Sequence, residues 1–70
     1  MKNPTLDLAV RLQESGHDVY STVPGKVDVG VTVRECIADI GRMLNAEPVY
    51  DGARFTFPGT VAVTGYVVAS

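Results

Sequence analysis

The chain has 70 residues, a formal net charge of −2 and 46% apolar residues. This length allows one domain, residues 1–70, and a domain so small buries only about 60% of the surface of its unfolded chain. Cys36 is the only cysteine and His17 the only histidine, which excludes an intrachain disulfide and the usual four-ligand structural zinc site. A second chain is therefore the expected source of extra stability.

The charged residues stand singly and alternate in sign along the chain. A nucleic-acid binder usually carries a basic stripe, because phosphate neutralisation supplies most of its affinity. No run of about 18 apolar residues follows the N-terminus, and residues 1–4 lead into a charged helix rather than an apolar signal core. We therefore expect neither nucleic acid nor a membrane as partner, and a location in the reducing cytoplasm.

The first predicted helix runs from Pro4 to about Ser15. Asn3 can cap it, and Pro4 suits the first turn, where its missing N–H leaves no bond unmade. Gly16 is expected to end it in the left-handed conformation. The apolar residues of this helix are expected on one broad buried side, which consists of Leu6, Leu8, Ala9, Val10 and Leu12.

Two strands are predicted next, at residues 19–23 and 27–33. Valines alternate with other residues in the second run, which is the period of a strand. The turn dipeptide Pro24-Gly25 separates the two runs and predicts a hairpin.

The second predicted helix begins at Thr32, whose spacing to Glu35 matches a capping box, and ends near Asn45 or Ala46. Gly41 lies in its middle and costs about 1 kcal/mol relative to alanine unless something packs closely against it. The narrow predicted core stripe consists of Val33, Cys36, Ile37, Ile40, Met43 and Leu44.

Three strands complete the chain. Asp51-Gly52 predicts a hairpin between residues 49–50 and 53–57, and Pro58-Gly59 predicts a turn into residues 60–69. A break in the alternation of the last strand predicts a bulge at Gly65. The predicted fold class is α+β, a small single domain of order α-β-β-α-β-β-β, with a mainly antiparallel sheet and two helices packed on one face.

Residues 55–70 contain no Asp, Glu, Lys or Arg. An exposed strand edge without charge is an aggregation hazard, so this strand is expected either in the centre of the sheet or paired with another chain. The sequence leaves both alternatives open.

No residue pattern predicts catalysis, a metal or a cofactor. Cys36 lies on the predicted apolar stripe. His17, in a distant turn, is expected as a solvated turn residue or as a cation near the C-terminus of the first helix. An enzyme would need these two side chains and a carboxylate to meet in one pocket. Phe55 and Phe57 share one sheet face, and we expect them to pack in the core rather than to stack on bases.

Tyrosine and arginine are favoured in protein interfaces, and acidic side chains paired with arginine can dock on a partner. We predict a non-enzymatic protein-binding module whose partner is another protein or itself, as a homodimer. One specific version is a small phage or mobile-element inhibitor of a host protein complex, similar to an anti-CRISPR protein. The alternatives are a transcriptional regulator that binds nucleic acid through Arg34, Arg42 and Arg54, and a small homo-oligomeric structural subunit. The predicted partner-binding residues are Arg34, Asp39, Arg42, Tyr50, Arg54 and Tyr66.

Overall fold

The computed structural model describes residues 3–68, and these form two helices and five strands. The helices are α1 (Pro4–Glu14) and α2 (Arg34–Leu44), and the strands are β1 (Ser21–Val23), β2 (Lys26–Thr32), β3 (Val49–Asp51), β4 (Arg54–Phe57) and β5 (Ala62–Val67). The predicted α+β class and the element order α-β-β-α-β-β-β are confirmed. Neither helix has the length and apolar character needed to cross a membrane.

The strands form one sheet in the order β1-β2-β5-β4-β3. β5 runs parallel to β2, and every other neighbouring pair is antiparallel. The uncharged strand β5 is therefore central, which decides between the two alternatives that the sequence leaves open. The edge strands β1 and β3 have only three residues each, and short edges are a usual protection against unwanted strand pairing.

Both helices pack on one face of the sheet, and the buried apolar residues form one cluster. The phenylalanine rings of β4 meet edge to face with centroids 6.0 Å apart, so these side chains fill the core as predicted. The cluster consists of Leu8, Ala9, Leu12, Val27, Val29, Ile37, Ile40, Phe55, Phe57, Val63 and Val67.

Helix α1 has the predicted ends. Asn3 Oδ1 accepts hydrogen bonds from the backbone N–H groups of Thr5 and Leu6. At the other end Gly16 has a φ of 91°, and the N–H of His17 donates to the carbonyl of Leu12. This closure is the Schellman arrangement, and it turns the chain back toward the sheet.

The buried side of α1 is narrower than predicted. Its buried residues are Thr5, Leu8, Ala9 and Leu12, at the i, i+3, i+4 and i+7 spacing of one helical stripe. Leu6 and Val10 flank this stripe and are exposed. Thr5 is buried because its Oγ1 accepts a hydrogen bond from the Gly25 N–H at 2.9 Å, which ties α1 to the β1–β2 turn.

The predicted capping box of α2 is wrong. Thr32 is the last residue of β2 and pairs with Val67, so its backbone belongs to the sheet. Val33 occupies the N-cap position and forms no side-chain cap. The predicted C-terminus is confirmed, since Asn45 takes the left-handed conformation there with a φ of 52°.

Gly41 is buried because α2 is closely packed at this position. A Cβ built on it would lie 2.9 Å from the Ala46 carbonyl oxygen and 3.3 Å from the ring of Phe57. Only glycine fits here without a clash, and this close packing offsets its lower helix propensity.

The predicted bulge at Gly65 is also wrong, because the register between β4 and β5 is continuous. The irregularity lies in β2, between Asp28 and Val31, where Gly30 has a φ of 70°. Gly65 instead makes room for the core: a Cβ there would lie 2.6 Å from the Gly30 carbonyl oxygen and 2.9 Å from the ring of Phe55.

The β3–β4 hairpin forms one residue later than predicted. Asp51 pairs with Arg54, so the two loop residues are Gly52 and Ala53. Gly52 has a φ of 63°, which suits glycine at this position.

Candidate protein-binding surface

The helices cover one face of the sheet, and the opposite face, here called the outer face, carries no other element of residues 3–68. Successive side chains of a strand point to opposite faces, so residues next to buried ones point outward. This rule and the strand register give the residues of the outer face: Ser21 and Val23 of β1, Lys26, Asp28 and Val31 of β2, Ala62, Thr64 and Tyr66 of β5, Arg54 and Thr56 of β4, and Val49 and Asp51 of β3.

Exposed apolar side chains meet at one end of the two central strands. Val31 and Tyr66 pair in register and are 65% and 50% exposed. Val33 and Val68 lie two residues further along the two segments, on the same face, and are also exposed. The Val68 N–H donates to the Thr32 carbonyl at 2.8 Å, so the two chain segments stay paired to this point. These four residues are called the outer patch.

The outer patch differs from scattered surface valines because its members are neighbours on adjacent strands. Contiguous exposed apolar surface with polar surroundings is typical of an interaction site. The sequence does not predict Val31, Val33 and Val68 as contact residues. An unbroken strand would place Val31 on the same face as Val27, and Val33 is predicted in the core stripe of the second helix, whereas it is exposed. Gly30 is the sequence signal for Val31, since a glycine inside a strand often marks a bulge. The bulge at Gly30 turns the residue that follows it to the opposite face of the sheet.

Arg54 lies next to the outer patch, where it pairs in register with Tyr66. Its Nε donates to Thr64 Oγ1 at 3.4 Å, and the Thr64 hydroxyl donates to the Phe55 carbonyl at 3.1 Å. The guanidinium group is thus drawn along the outer face toward the centre of β5. Among the described residues no ion pair involves Arg54.

Asp28 lies on the other side of β5 and pairs in register with Thr64. Its Oδ1 accepts a hydrogen bond from the Gly30 N–H at 2.8 Å, which supports the bulge. Within residues 3–68 the carboxylate meets no arginine or lysine. The outer face therefore presents two cations, Lys26 and Arg54, and two carboxylates, Asp28 and Asp51, and none of the four forms an ion pair in the described part of the chain.

The six predicted partner-binding residues fall into three separate groups. Arg54 and Tyr66 adjoin on the outer face. Arg34 stands over the ring of Tyr50 at 5.1 Å from its centroid, on the helix side of the sheet. The remaining two lie on the surface of α2, where Arg42 and Asp39 form an ion pair at 3.1 Å.

The three arginines of the regulator alternative do not converge. Arg54 lies on the outer face, whereas Arg34 and Arg42 lie on α2, on the opposite side of the sheet. A phosphate backbone would have to contact both sides of the domain to use all three.

His17 is not the solvated turn residue that the sequence predicts. Its side chain is only 9% exposed, and its Nε2 lies 2.8 Å from Asp39 Oδ2. The reason is the closure at Gly16, which folds His17 back against α2. The hydrogen bond from His17 lowers the pKa of Asp39 below its ordinary value; burial opposes this effect, and the hydrogen bond from Arg42 adds to it.

His17 and Cys36 also lie closer in space than predicted. Both line a cavity of about 100 Å³, together with Asp18. This volume is small beside the roughly 300–1,000 Å³ of typical ligand pockets. No hydrogen bond between Cys36 and His17 occurs in the described part of the chain. Within residues 3–68, no three side chains of the metal-binding types are placed to hold a metal ion.

No protein-family model, curated protein sequence or solved structure matches this chain. Function is therefore inferred from the surface of the domain alone.

Proposed function

We propose that this protein is a non-enzymatic protein-binding module that acts through its outer face. The observation that supports the proposal is the outer patch, in which Val31 and Tyr66 are paired and exposed on the two central strands. A domain whose helices cover only one side of a sheet leaves this apolar surface in water unless another molecule packs on it.

The composition of the outer face favours a protein as partner. Tyr66 and Arg54 adjoin there, and tyrosine and arginine are enriched among the residues that contribute most to binding between proteins. The face carries Lys26 and Arg54 against Asp28 and Asp51, so its charges cancel. A face that binds phosphates would carry a positive excess.

An inhibitor of a host protein complex, encoded by a phage or a mobile element, is the most specific version of this function. Such a protein works by occupying a surface that the complex needs, and it requires no chemistry of its own. Under this version the outer face would cover a subunit of that complex. The proposal includes a location in the reducing cytoplasm, consistent with a single cysteine that has no disulfide partner in the chain.

The test is affinity capture of the tagged protein from its native cell lysate after nuclease treatment. The wild type is compared with Tyr66→Asp, which adds a charge to the outer patch, and with Leu6→Asp, which adds the same charge to an exposed apolar position on α1. We expect Tyr66→Asp to lose the captured protein and Leu6→Asp to retain it. Equal recovery by both variants would contradict the proposal.

A further inference from the structure

We propose that the outer face binds a second copy of this chain, packed face to face about a two-fold axis parallel to β5. This inference rests on the proposed function and names its partner. The patch lies at one end of the central strand β5 and its neighbour β2, so a second sheet stacked on the outer face would cover it. Face-to-face stacking of sheets is a common way of burying an apolar face.

The two-fold axis decides which residues meet. Rotation about an axis parallel to β5 reverses the strand order from left to right, so β5 lies on β5 and β2 lies on β4 of the other copy. The two Tyr66 side chains then meet near the axis, with Val31 of each copy beside them. Aromatic residues at the centre of a symmetric interface are typical binding anchors.

The same rotation brings together Arg54 and Asp28, which are two of the four charged residues of the outer face without an ion pair among the described residues. Arg54 of one copy, on β4, faces β2 of the other copy, which carries Asp28. The bond from Arg54 Nε to Thr64 Oγ1 draws the guanidinium toward the level of Thr64, and Thr64 is the register partner of Asp28. The dimer would therefore contain two identical contacts between Arg54 and Asp28.

The other face-to-face arrangement is disfavoured by the same charges. An axis perpendicular to the strands would place β4 on β4 and β2 on β2. Arginine would then face arginine, and aspartate would face aspartate, and such like-charge contacts weaken an interface. Charge complementarity therefore selects the axis parallel to β5.

The size of the outer face suits a modest dimer. Each strand residue covers about 3.3 Å along the strand and about 4.8 Å across the sheet, and the five strands contain 23 residues. The projected area is then roughly 360 Å², and side chains make the accessible area larger. A stable interface buries at least about 600 Å² per partner, so the face lies near the lower limit of a stable dimer.

The test is sedimentation equilibrium of the purified protein, with the fold of each variant confirmed by circular dichroism. We expect a reversible dimer for the wild type. Arg54→Glu places a carboxylate against Asp28 of the other copy at both contacts, and we expect the dissociation constant to rise at least about tenfold. The double variant Arg54→Glu with Asp28→Lys should restore dimerisation. Arg11→Glu makes the same charge change on the exposed side of α1 and should leave it unchanged.

A second measurement avoids any loss of stability at Asp28, whose carboxylate also supports Gly30. In a Cys36→Ser background, a short bismaleimide should crosslink Tyr66→Cys into a dimer, because the two copies meet at this position. Stacked sheets lie about 10 Å apart, which is too far for a direct disulfide. Leu6→Cys in the same background should remain monomeric.

Several results would overturn the inference. The inference is wrong if the wild-type protein stays monomeric at millimolar concentration. It is also wrong if Arg54→Glu and Arg11→Glu change the dissociation constant of the dimer equally. If the purified protein is monomeric but Tyr66→Asp loses a captured protein from the lysate, the second copy is the wrong partner and the proposed function stands. If the outer-face variants change neither experiment, both proposals fail.

Discussion

Replacing Gly65 with alanine should destabilise the domain by overfilling the centre of its core. Gly65 lies on β5 and faces inward between Gly30 and Phe55. The new methyl carbon would lie 2.6 Å from the Gly30 carbonyl oxygen and 2.9 Å from the Phe55 ring. Carbon atoms normally approach no closer than about 3.5 Å. The Phe55 side chain is fully buried, and the Gly30 carbonyl belongs to the backbone of β2, so neither can move away freely.

The expected loss follows from these contacts. Overfilling a packed core costs about 1–3 kcal/mol, and two hard contacts place this substitution in the upper half of that range. Alanine recovers about 0.4–1 kcal/mol, because it restricts the unfolded chain more than glycine does. The net decrease in the free energy of unfolding is about 2 kcal/mol. For 70 residues the unfolding entropy is roughly 0.15 kcal/mol per degree, so Tm should fall by about 14 °C.

The assay is urea unfolding at one low protein concentration, where self-association adds no stability. Gly59→Ala is the matched control, because a Cβ there would meet its nearest neighbour, the Val61 carbonyl oxygen, at an ordinary 3.7 Å. This control should lie within about 0.5 kcal/mol of the wild type. Gly65→Ala with the stability of the control would refute the packing described for β4 and β5.

Three further predictions concern single side chains. Asn3→Ala removes the acceptor for two N–H groups of α1 and should lower the free energy of unfolding by about 1 kcal/mol. Asn3→Ser keeps a side-chain acceptor and should retain most of this stability. Equal losses in the two variants would contradict the cap. Asp39 has a lowered pKa in the folded state. Its contribution to the free energy of unfolding is therefore present above its ordinary pKa of 3.8, and it is lost as the pH falls through the lower pKa of the folded state. Thermal unfolding should therefore show the wild type more stable than Asp39→Asn at pH 6, with the difference vanishing in strong acid; a difference that grows in acid would contradict the bond to His17. Cys36 is half-buried and should react with iodoacetamide no faster than free cysteine, and a rate that is faster and depends on His17 would indicate a nucleophile.

The parts of the fold that the sequence predicts depend on local signals. Asn3 and Gly16 mark the ends of α1, and Pro24-Gly25 marks the first hairpin, because a cap or a turn needs only a few adjacent residues. The class of the fold follows from the order of these elements. The central position of β5 agrees with its lack of charge, since a strand flanked on both sides has no edge to protect.

The errors arise where contacts between distant residues decide the structure. The bond between His17 and Asp39 joins positions 22 residues apart, and no local pattern marks it. The bulge at Gly30 breaks the alternation of β2, so Val31 lies in the outer patch and not on the face that carries Val27 and Val29. A helical wheel could not rank Leu6 against Leu8, because the choice depends on how α1 lies on the sheet.

The candidate site was predicted only in part. Arg54 and Tyr66 were named from residue type, and the strand register brings them together. Arg34 and Asp39 were chosen by the same criterion and lie elsewhere, on α2. Residue type indicates which side chains suit an interface, but their grouping on one surface depends on strand order and register.

Hydroxyl-radical labelling of the tyrosines, read by mass spectrometry, tests directly whether the outer face is a binding surface. Tyr66 is 50% exposed on the outer face, and Tyr50 is 41% exposed on the helix side of the sheet beneath Arg34, so Tyr50 serves as an internal control. We expect Tyr66 to be labelled readily in dilute purified protein and to be protected in concentrated protein or in native lysate, while labelling of Tyr50 stays constant. Undiminished labelling of Tyr66 under all three conditions would contradict the outer face as a binding surface.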